Sequence, residues 1–173
     1  GLEWIEEALL RTAAGEQAGA PAAAPAATVS ADLRLVLSAQ FSAQALDVLS
    51  KHCEAIELPA GTTLFRQGDT SDALYIIGRG ELSVLMQLDG GVSVRLRTFG
   101  PGTLVGEMGL YARQPRSADV VADVACRVYK LSIENVSRLA REHPDVAMEL
   151  HGFVVRMLST RLATANEELR ALL

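Results

Sequence analysis

The sequence predicts a mainly β fold flanked by helices (α+β). Short apolar segments recur at regular spacing in the middle of the 173 residues. Glycine-rich turns separate these segments, and helical patterns stand only on either side of them. Many short strands with glycine turns are typical of a sandwich or barrel. We therefore expect an eight-stranded antiparallel β-roll or jelly roll, with a helical N-terminal segment and C-terminal helices.

Eight strands are predicted in the central part of the chain. Asp89-Gly90 is a favourable hairpin turn between the fourth and fifth strands. Gly61, Gly68, Gly80 and the segment 100–102 mark other breaks. The predicted strands span residues 55–58, 62–66, 73–78, 81–87, 92–98, 103–105, 118–121 and 126–131.

The N-terminal part of the sequence has two regions before the strands begin. Residues 1–14 contain an amphipathic helix with Trp4, Ile5 and Leu9 on one face, and we assign them to the tail of a preceding domain. The alanine- and proline-rich residues 15–30 are interpreted as an interdomain linker. The main domain then spans residues 31–173, and Ser42 is expected to cap an early helix that ends near Cys53.

Two helices are predicted at the C-terminus, in residues 132–173. Ser132 caps the first, which ends near Glu142. Pro144 stands where a second helix begins. One apolar face of this long helix contains Leu150, Phe153 and Met157. The other has the 3-4 spacing of a coiled-coil seam and consists of Val155, Leu158, Leu162, Ala165, Leu169 and Leu172.

Composition and charge disfavour several classes of function for this chain. Hydrophobic residues make up 49% and charged residues 21%, which indicates a globular chain, and the net charge of −5 disfavours a nucleic-acid partner. No apolar run reaches membrane-span length, and no secretory signal opens the sequence. Cys53 and Cys126 are too far apart to chelate, so we expect two free thiols in the cytoplasm. The three histidines, at 52, 143 and 151, have no ligand spacing, so no metal site is expected.

The stretch 105–118 carries the chemistry. Gly106 lets the backbone approach a ligand, and the helical turn that follows offers free N–H groups to an anion. Arg116 has a planar fork of donors suited to phosphate oxygens, and Ser117 adds a hydroxyl. The Glu107 carboxylate suits sugar hydroxyls. Together these groups match a ribose phosphate. No nucleophile–base pair is visible, so an enzyme is disfavoured.

The segments Val105-Gly106-Glu107 and Arg116-Ser117-Ala118 resemble the phosphate-binding cassette of the cyclic nucleotide-binding domain family. The resemblance implies that Glu107 binds the ribose 2′-hydroxyl and that Arg116 binds the cyclic phosphate. Ser117 and the backbone of Ala118 would assist with the phosphate. The family usually has an aromatic residue at the position of Val105. This difference affects packing and leaves the polar contacts unchanged. Gly61, Gly68 and Gly80, which separate predicted strands, also stand where this family places glycines in its β-roll, and they extend the resemblance to residues 31–165.

The expected cyclic nucleotide site consists of Gly106, Glu107, Met108, Arg116, Ser117 and Ala118. Arg97, Phe99 and Met157 are candidate base contacts. Each of the three also has a role that needs no ligand. Arg97 can be a solvated surface charge, Phe99 can pack in the core, and Met157 can pack the last helix against the roll. Glu107 and Arg116 can also form a salt bridge without a ligand. The sequence leaves cyclic AMP against cyclic GMP open, and no other cofactor is expected.

The resemblance implies a regulatory module in which the last helix is a mobile lid and often the dimer contact, here through residues 155–172. Alternatives are a degenerate fold that acts in structure or oligomerisation, and the sensor domain of a transcription regulator. Residues 1–10 are similar to the final helix of a STAS domain in bacterial sulfate-permease-like (SulP) anion transporters, whose tails resemble 161–166. Such a parent would tether the domain at the inner face of the membrane. Glutaminases with a similar tail are a competing parent.

Overall fold

The computed structural model describes residues 25–173. Five helices and eight strands follow one another in the order helix, helix, six strands, helix, two strands, helix, helix. The helices are α1 (Ala26–Leu37), α2 (Ala43–His52), α3 (Glu107–Ala112), α4 (Ile133–Glu142) and α5 (Pro144–Leu172). The strands are β1 (Glu54–Leu58), β2 (Thr63–Phe65), β3 (Ala73–Arg79), β4 (Leu82–Gln87), β5 (Ser93–Phe99), β6 (Leu104–Val105), β7 (Asp119–Ala122) and β8 (Cys126–Ser132).

The strands form two four-stranded sheets, both antiparallel throughout. The first sheet has the order β1-β8-β3-β6, and the second has the order β2-β7-β4-β5. Because β6 ends one residue before Gly106, the short helix α3 begins at an edge of the first sheet. β7 follows the same loop back into the second sheet. The segment between β6 and β7 therefore bridges the two sheets of the roll.

Strand β3 separates two hydrophobic cores. Its alternating side chains point to opposite faces of the sheet. Tyr75 and Ile77 pack inside the roll, against residues of the second sheet such as Val120. Leu74 and Ile76 face outward and pack beneath the helices. This two-sided burial explains why the sequence of β3 is continuously apolar.

The helical layer consists of α1, α2, α4 and α5 and covers the outer face of the first sheet. Phe41 and Phe153 meet edge to face with ring centroids 5.2 Å apart. Glu149 of α5 accepts two hydrogen bonds from Ser42, one from its backbone N–H at 2.8 Å and one from its hydroxyl at 2.9 Å. These contacts fix the N-terminal half of α5 to the start of α2.

The eight-stranded roll with flanking helices is confirmed, and so are the two predicted serine caps. The Ser42 hydroxyl accepts from the Ala45 N–H, and the Ser132 hydroxyl accepts from the Asn135 N–H, each at 3.2 Å. The 89–90 hairpin is present as well, with Gly90 at φ 86°. Each predicted strand overlaps an observed one, with ends that agree within two residues.

The predicted linker 15–30 needs a correction at its C-terminal end. Helix α1 begins at Ala26, directly after Pro25, which precedes the helix with a φ of −56°. Alanine is the strongest helix former, so the alanine-rich composition here favours helix over linker. Val29, Leu33 and Leu37 then repeat every four residues and are all buried. The predicted helix in residues 1–14 and residues 15–24 of the predicted linker lie outside the described residues.

Helix α5 is continuous over 29 residues, and its two predicted faces behave differently. Leu150 and Phe153 are buried, and Met157 packs against the helical core. The seam face is largely exposed, with Leu162 62% accessible. None of the described helices is long and apolar enough to cross a membrane.

Candidate functional site

The loop between β6 and β7 turns sharply at Gly106, which has a φ of 83°. This left-handed conformation strains any residue with a Cβ. A Cβ at this position would also stand 2.6 Å from Nη1 of Arg116 and 3.3 Å from the carbonyl oxygen of Ala73. Arg113 closes α3 in the same region of backbone space, at φ 53°. The local sequence thus brings the backbone at position 106 directly against the Arg116 guanidinium.

Arg116 is a buried cation, with only 2% of its side chain exposed. Its guanidinium donates to the carbonyl oxygen of Gly106 at 2.9 Å and to that of Ala73 at 2.8 Å. The ring of Phe65 lies 4.2 Å below it. These contacts hold the fork in one orientation.

The charge of Arg116 is only weakly compensated. Its sole carboxylate partner among the described residues is Asp72, at 3.5 Å and with 59% of its side chain exposed. Asp72 is also shared with Lys130, at 3.9 Å. The Nε–H of Arg116 is buried and has no hydrogen-bond partner. A buried charge and an unpaired buried donor are both costly, so this geometry favours an anion beside Arg116.

Glu107 begins α3 and is also buried, with 3% of its side chain exposed. Its Oε1 accepts a hydrogen bond from Nη1 of Arg161 at 2.6 Å. Burial raises the pKa of the Glu107 carboxyl above its usual value, while the positive charges of Arg161 and Arg116 oppose that rise. The carboxylate is thus bonded to Arg161 through Oε1, and Glu107 also lines the cavity described below.

Arg161 lies on α5 and connects that helix to the site. Besides Glu107, it donates from Nη2 to the carbonyl oxygen of Leu104 at 2.6 Å. Its guanidinium also stacks over the ring of Phe99 at 4.0 Å. A second link joins helices α3 and α5, where Tyr111 and His151 share a hydrogen bond of 2.7 Å. The cassette and the last helix are therefore joined at two points.

Arg116 and Glu107 line a cavity of about 350 Å³ that opens between the second sheet and α3. Every residue of the predicted phosphate and ribose site lines it, as do the candidate base contacts Arg97 and Phe99. Met157 does not: it lines a neighbouring cavity, and Arg161, one helical turn further on, stands in its place. Apolar side chains form the remaining wall: Phe65, Val84, Met86, Leu96, Val105 and Val120.

Sequence reasoning missed Arg161 and Phe65. Arg161 continues the buried face of α5 by one turn, because it follows Met157 by four residues. Extending that periodicity would have identified it. Phe65 is the last residue of the short strand β2, whose sequence has no polar motif, and only the tertiary structure brings it beneath Arg116. Ser71 was also missed; its hydroxyl is buried without a partner, next to Gly109.

The family model for the cyclic nucleotide-binding domain matches residues 55–143, slightly more than half of the chain. The chain belongs to the cyclic nucleotide-binding domain family. A cyclic nucleotide-binding domain from Methylobacillus flagellatus has the same fold, with a TM-score of 0.77, 21% identity and 83% of each chain covered. The resemblance that the cassette predicted is confirmed at the level of the family.

Two curated relatives show different protein contexts for the same domain. The chain is 32% identical over 125 residues to the cAMP-activated global transcriptional regulator CRP of Salmonella typhimurium, a match that covers 72% of this chain and 60% of the regulator. It is 33% identical over 125 residues to Glutaminase 1 of Bradyrhizobium diazoefficiens, covering 72% of this chain and 20% of that enzyme. The chain thus spans only part of either relative.

The cavity as described is equipped for binding. It offers a buried cation for an anionic group, a buried carboxylate for hydroxyl groups and a broad apolar wall for a flat ring. Among residues 25–173, no cluster of three or more His, Cys, Asp or Glu side chains is arranged to hold a metal ion.

Proposed function

We propose that this chain is a regulatory module that binds a cyclic nucleotide, cyclic AMP or cyclic GMP, and signals to an attached effector. One observation carries the proposal. Arg116 is buried, oriented by two carbonyl oxygens and left with a free Nε–H, and it lies in the same cavity as the buried carboxylate of Glu107. A cyclic phosphate would compensate the cation, and the ribose hydroxyl would donate to the carboxylate.

The ligand's orientation follows from which wall is polar. With the phosphate at Arg116 and the ribose at Glu107, the base lies towards the apolar wall around Val84 and Met86. Phe99 and Arg97 then stand at the outer end of the base. Ser117 is exposed at the mouth of the cavity, within the same lining, and is available to the phosphate or to a base in the syn conformation. Both purines are therefore kept in the proposal.

Helix α5 carries the signal in this proposal, and Arg161 is the relay. In the structure, the guanidinium of Arg161 already donates a hydrogen bond to Glu107 and stacks on the ring of Phe99. A ribose that donates to Glu107 must share that carboxylate with Arg161. A base that stacks on the same face of Phe99 must displace the guanidinium. Either event alters the link between α5 and the roll. A ligand shifts this equilibrium by its difference in affinity for the two arrangements.

The effector attached to the module is a separate question. The curated relatives favour a transcription regulator or a glutaminase as parent. A SulP anion transporter stays a prediction that rests on residues 1–10 and 161–166, and the location of the domain in the cytoplasm stays a prediction with it. The exposed seam on α5 supports a homodimer through residues 155–172, because unpaired leucines at coiled-coil spacing favour a second helix.

Isothermal titration calorimetry tests the binding proposal. We expect cyclic AMP or cyclic GMP to bind the chain, and 5′-AMP, whose phosphate is not cyclic and carries a further charge, to bind much more weakly. The Arg116→Ala variant should lose at least tenfold to a hundredfold in affinity, since a charge-assisted hydrogen bond contributes about 1.5–3 kcal/mol. Arg138→Ala, which removes an exposed arginine of α4, is the matched control. Absence of binding to either cyclic nucleotide would favour the degenerate-fold alternative.

A further inference from the structure

A second cavity of about 470 Å³ lies between α5 and the turn that joins β5 to β6. It is separate from the nucleotide cavity but shares three residues with it, Arg97, Phe99 and Arg161. The stack of the Arg161 guanidinium on Phe99 therefore forms the partition between the two cavities. The second cavity therefore continues the candidate ligand site past this partition.

Three arginines line the second cavity, and none of its lining residues is acidic. Arg97 pairs with Glu168 at 2.9 Å, and 65% of that carboxylate side chain is exposed. Arg161 pairs with Glu107, which belongs to the nucleotide cavity. Arg156 has no carboxylate within 4.0 Å among residues 25–173. We call this second cavity, which is lined by Arg97, Arg156 and Arg161, the arginine cavity.

The backbone makes room for Arg156. Gly152 lies one turn earlier on α5, and a Cβ there would stand 3.1 Å from Nη1 of Arg156. The guanidinium thus lies along the helix over the glycine, at the side of the cavity. Its fork of donors is free to bind oxygen atoms in a planar arrangement. Burial lowers the pKa of Arg161, and the positive charge of Arg97 lowers it further. Because the two cations repel each other, an anion bound next to them would be stabilised.

We infer that the arginine cavity is a second subsite, one that takes a phosphate group. The inference rests on the proposed function, because it places this phosphate beside a nucleotide held at Arg116, on the other side of the Arg161–Phe99 stack. Two sources have the required chemistry. One is the second phosphodiester of a cyclic dinucleotide, whose first phosphodiester binds Arg116. The other is a free phosphate ion that binds beside a cyclic mononucleotide.

Such a phosphate would join α5 to β5. Arg156 and Arg161 belong to the helix, whereas Arg97 belongs to the strand. An anion shared by the three adds to the two existing links between helix and strand, the Arg97–Glu168 bridge and the stack of Arg161 on Phe99. The second phosphate would therefore hold the C-terminal half of α5 on the roll, and the effector would respond to it through the same helix.

Calorimetry on the whole chain separates the sources. Cyclic AMP, cyclic GMP, cyclic di-AMP and cyclic di-GMP are titrated separately, and inorganic phosphate is titrated with and without saturating cyclic mononucleotide. The variant is Arg156→Ala, because Arg156 lines only the second cavity. Arg170→Ala, which removes an exposed arginine further along α5, is its matched control. Gly152→Ala provides a second perturbation, since its methyl group shifts the Arg156 guanidinium without removing its charge.

For a dinucleotide, we expect Arg156→Ala to lower its affinity at least tenfold and to leave that of cyclic mononucleotides within twofold. For free phosphate, we expect a binding isotherm that Arg156→Ala abolishes and Arg170→Ala retains. Gly152→Ala should weaken the same ligand by a smaller factor. If every ligand binds Arg156→Ala as it binds wild type, the subsite is refuted while mononucleotide binding stands. If no nucleotide binds and phosphate is indifferent to Arg156, both proposals fail.

Discussion

The pair between Arg161 and Glu107 predicts a specific response to the substitution Arg161→Ala. The change removes a hydrogen bond to Glu107 and another to the carbonyl oxygen of Leu104, each of 2.6 Å, together with the stack on Phe99. Hydrogen bonds to charged groups contribute about 1.5–3 kcal/mol each, and a cation over an aromatic ring about 0.5–1 kcal/mol. The full sum overstates the loss, because water enters the cavity and Glu107 can take up a proton.

We therefore expect the free energy of unfolding to fall by about 2–4 kcal/mol, which lowers Tm by about 5–15 °C for a chain of this size. Differential scanning calorimetry measures the shift. Thr160→Ala on the neighbouring exposed position is the control, and it should change Tm by much less because its hydroxyl bonds only to the helix carbonyl of Arg156.

The same substitution has a signature that general destabilisation does not produce. The positive charge of Arg161 opposes the burial that raises the pKa of Glu107. Without Arg161 that pKa rises further, so the pH below which cyclic nucleotide binding weakens moves upward. Titrations between pH 4 and pH 8 (about the range in which a carboxyl raised by burial ionises) locate this midpoint. An unchanged midpoint together with an unchanged Tm would show that Arg161 plays no part in the site.

Three further predictions concern the ligand and the helix. Arg116→Lys should recover only part of the affinity lost in Arg116→Ala, because an ammonium group lacks the planar fork; full recovery in calorimetry would mean that charge alone suffices. Since burial raises the pKa of Glu107, nucleotide affinity should be complete above that pKa and should fall as the pH drops through it, with a midpoint above the ordinary value of 4.5; a midpoint at or below 4.5 would contradict the assigned role. Hydrogen–deuterium exchange of residues 145–165 should slow when nucleotide is added, and protection confined to the cassette would remove α5 from the signalling route.

Much of the fold was predictable because its signals are local. Strand periodicity and glycine turns gave eight strands, and serine caps placed the starts of α2 and α4. The linker boundary was misplaced because alanines beside prolines suit either a linker or a helix start. Only the burial of Val29 in the core between the helices and the first sheet distinguishes a helix start from a linker here. A single sequence contains no direct record of that contact.

The lining of the candidate cavity was predictable where one continuous segment supplies it. Gly106, Glu107, Arg116, Ser117 and Ala118 lie within a short stretch, and all line the cavity. Contributions from distant segments were not predictable in the same way. Arg161 is 54 residues from Glu107 along the chain, and its role depends on how α5 crosses the roll. Met157 had an equally suitable periodicity, and only the position of the helix decides which of the two side chains enters the cavity.

A double-mutant cycle between Glu107 and the ribose hydroxyl tests the central claim most directly. Wild type and Glu107→Gln are each titrated with a cyclic nucleotide and with its 2′-deoxy analogue. Glutamine keeps the shape of the side chain and an acceptor for Arg161, but it lacks the charged acceptor for the hydroxyl. We expect the missing hydroxyl to cost wild type about 1–2 kcal/mol and the variant clearly less, which gives a coupling energy of about 1 kcal/mol. Equal losses in both proteins, and hence no coupling, would contradict the placement of a cyclic nucleotide in this cavity with its ribose on Glu107.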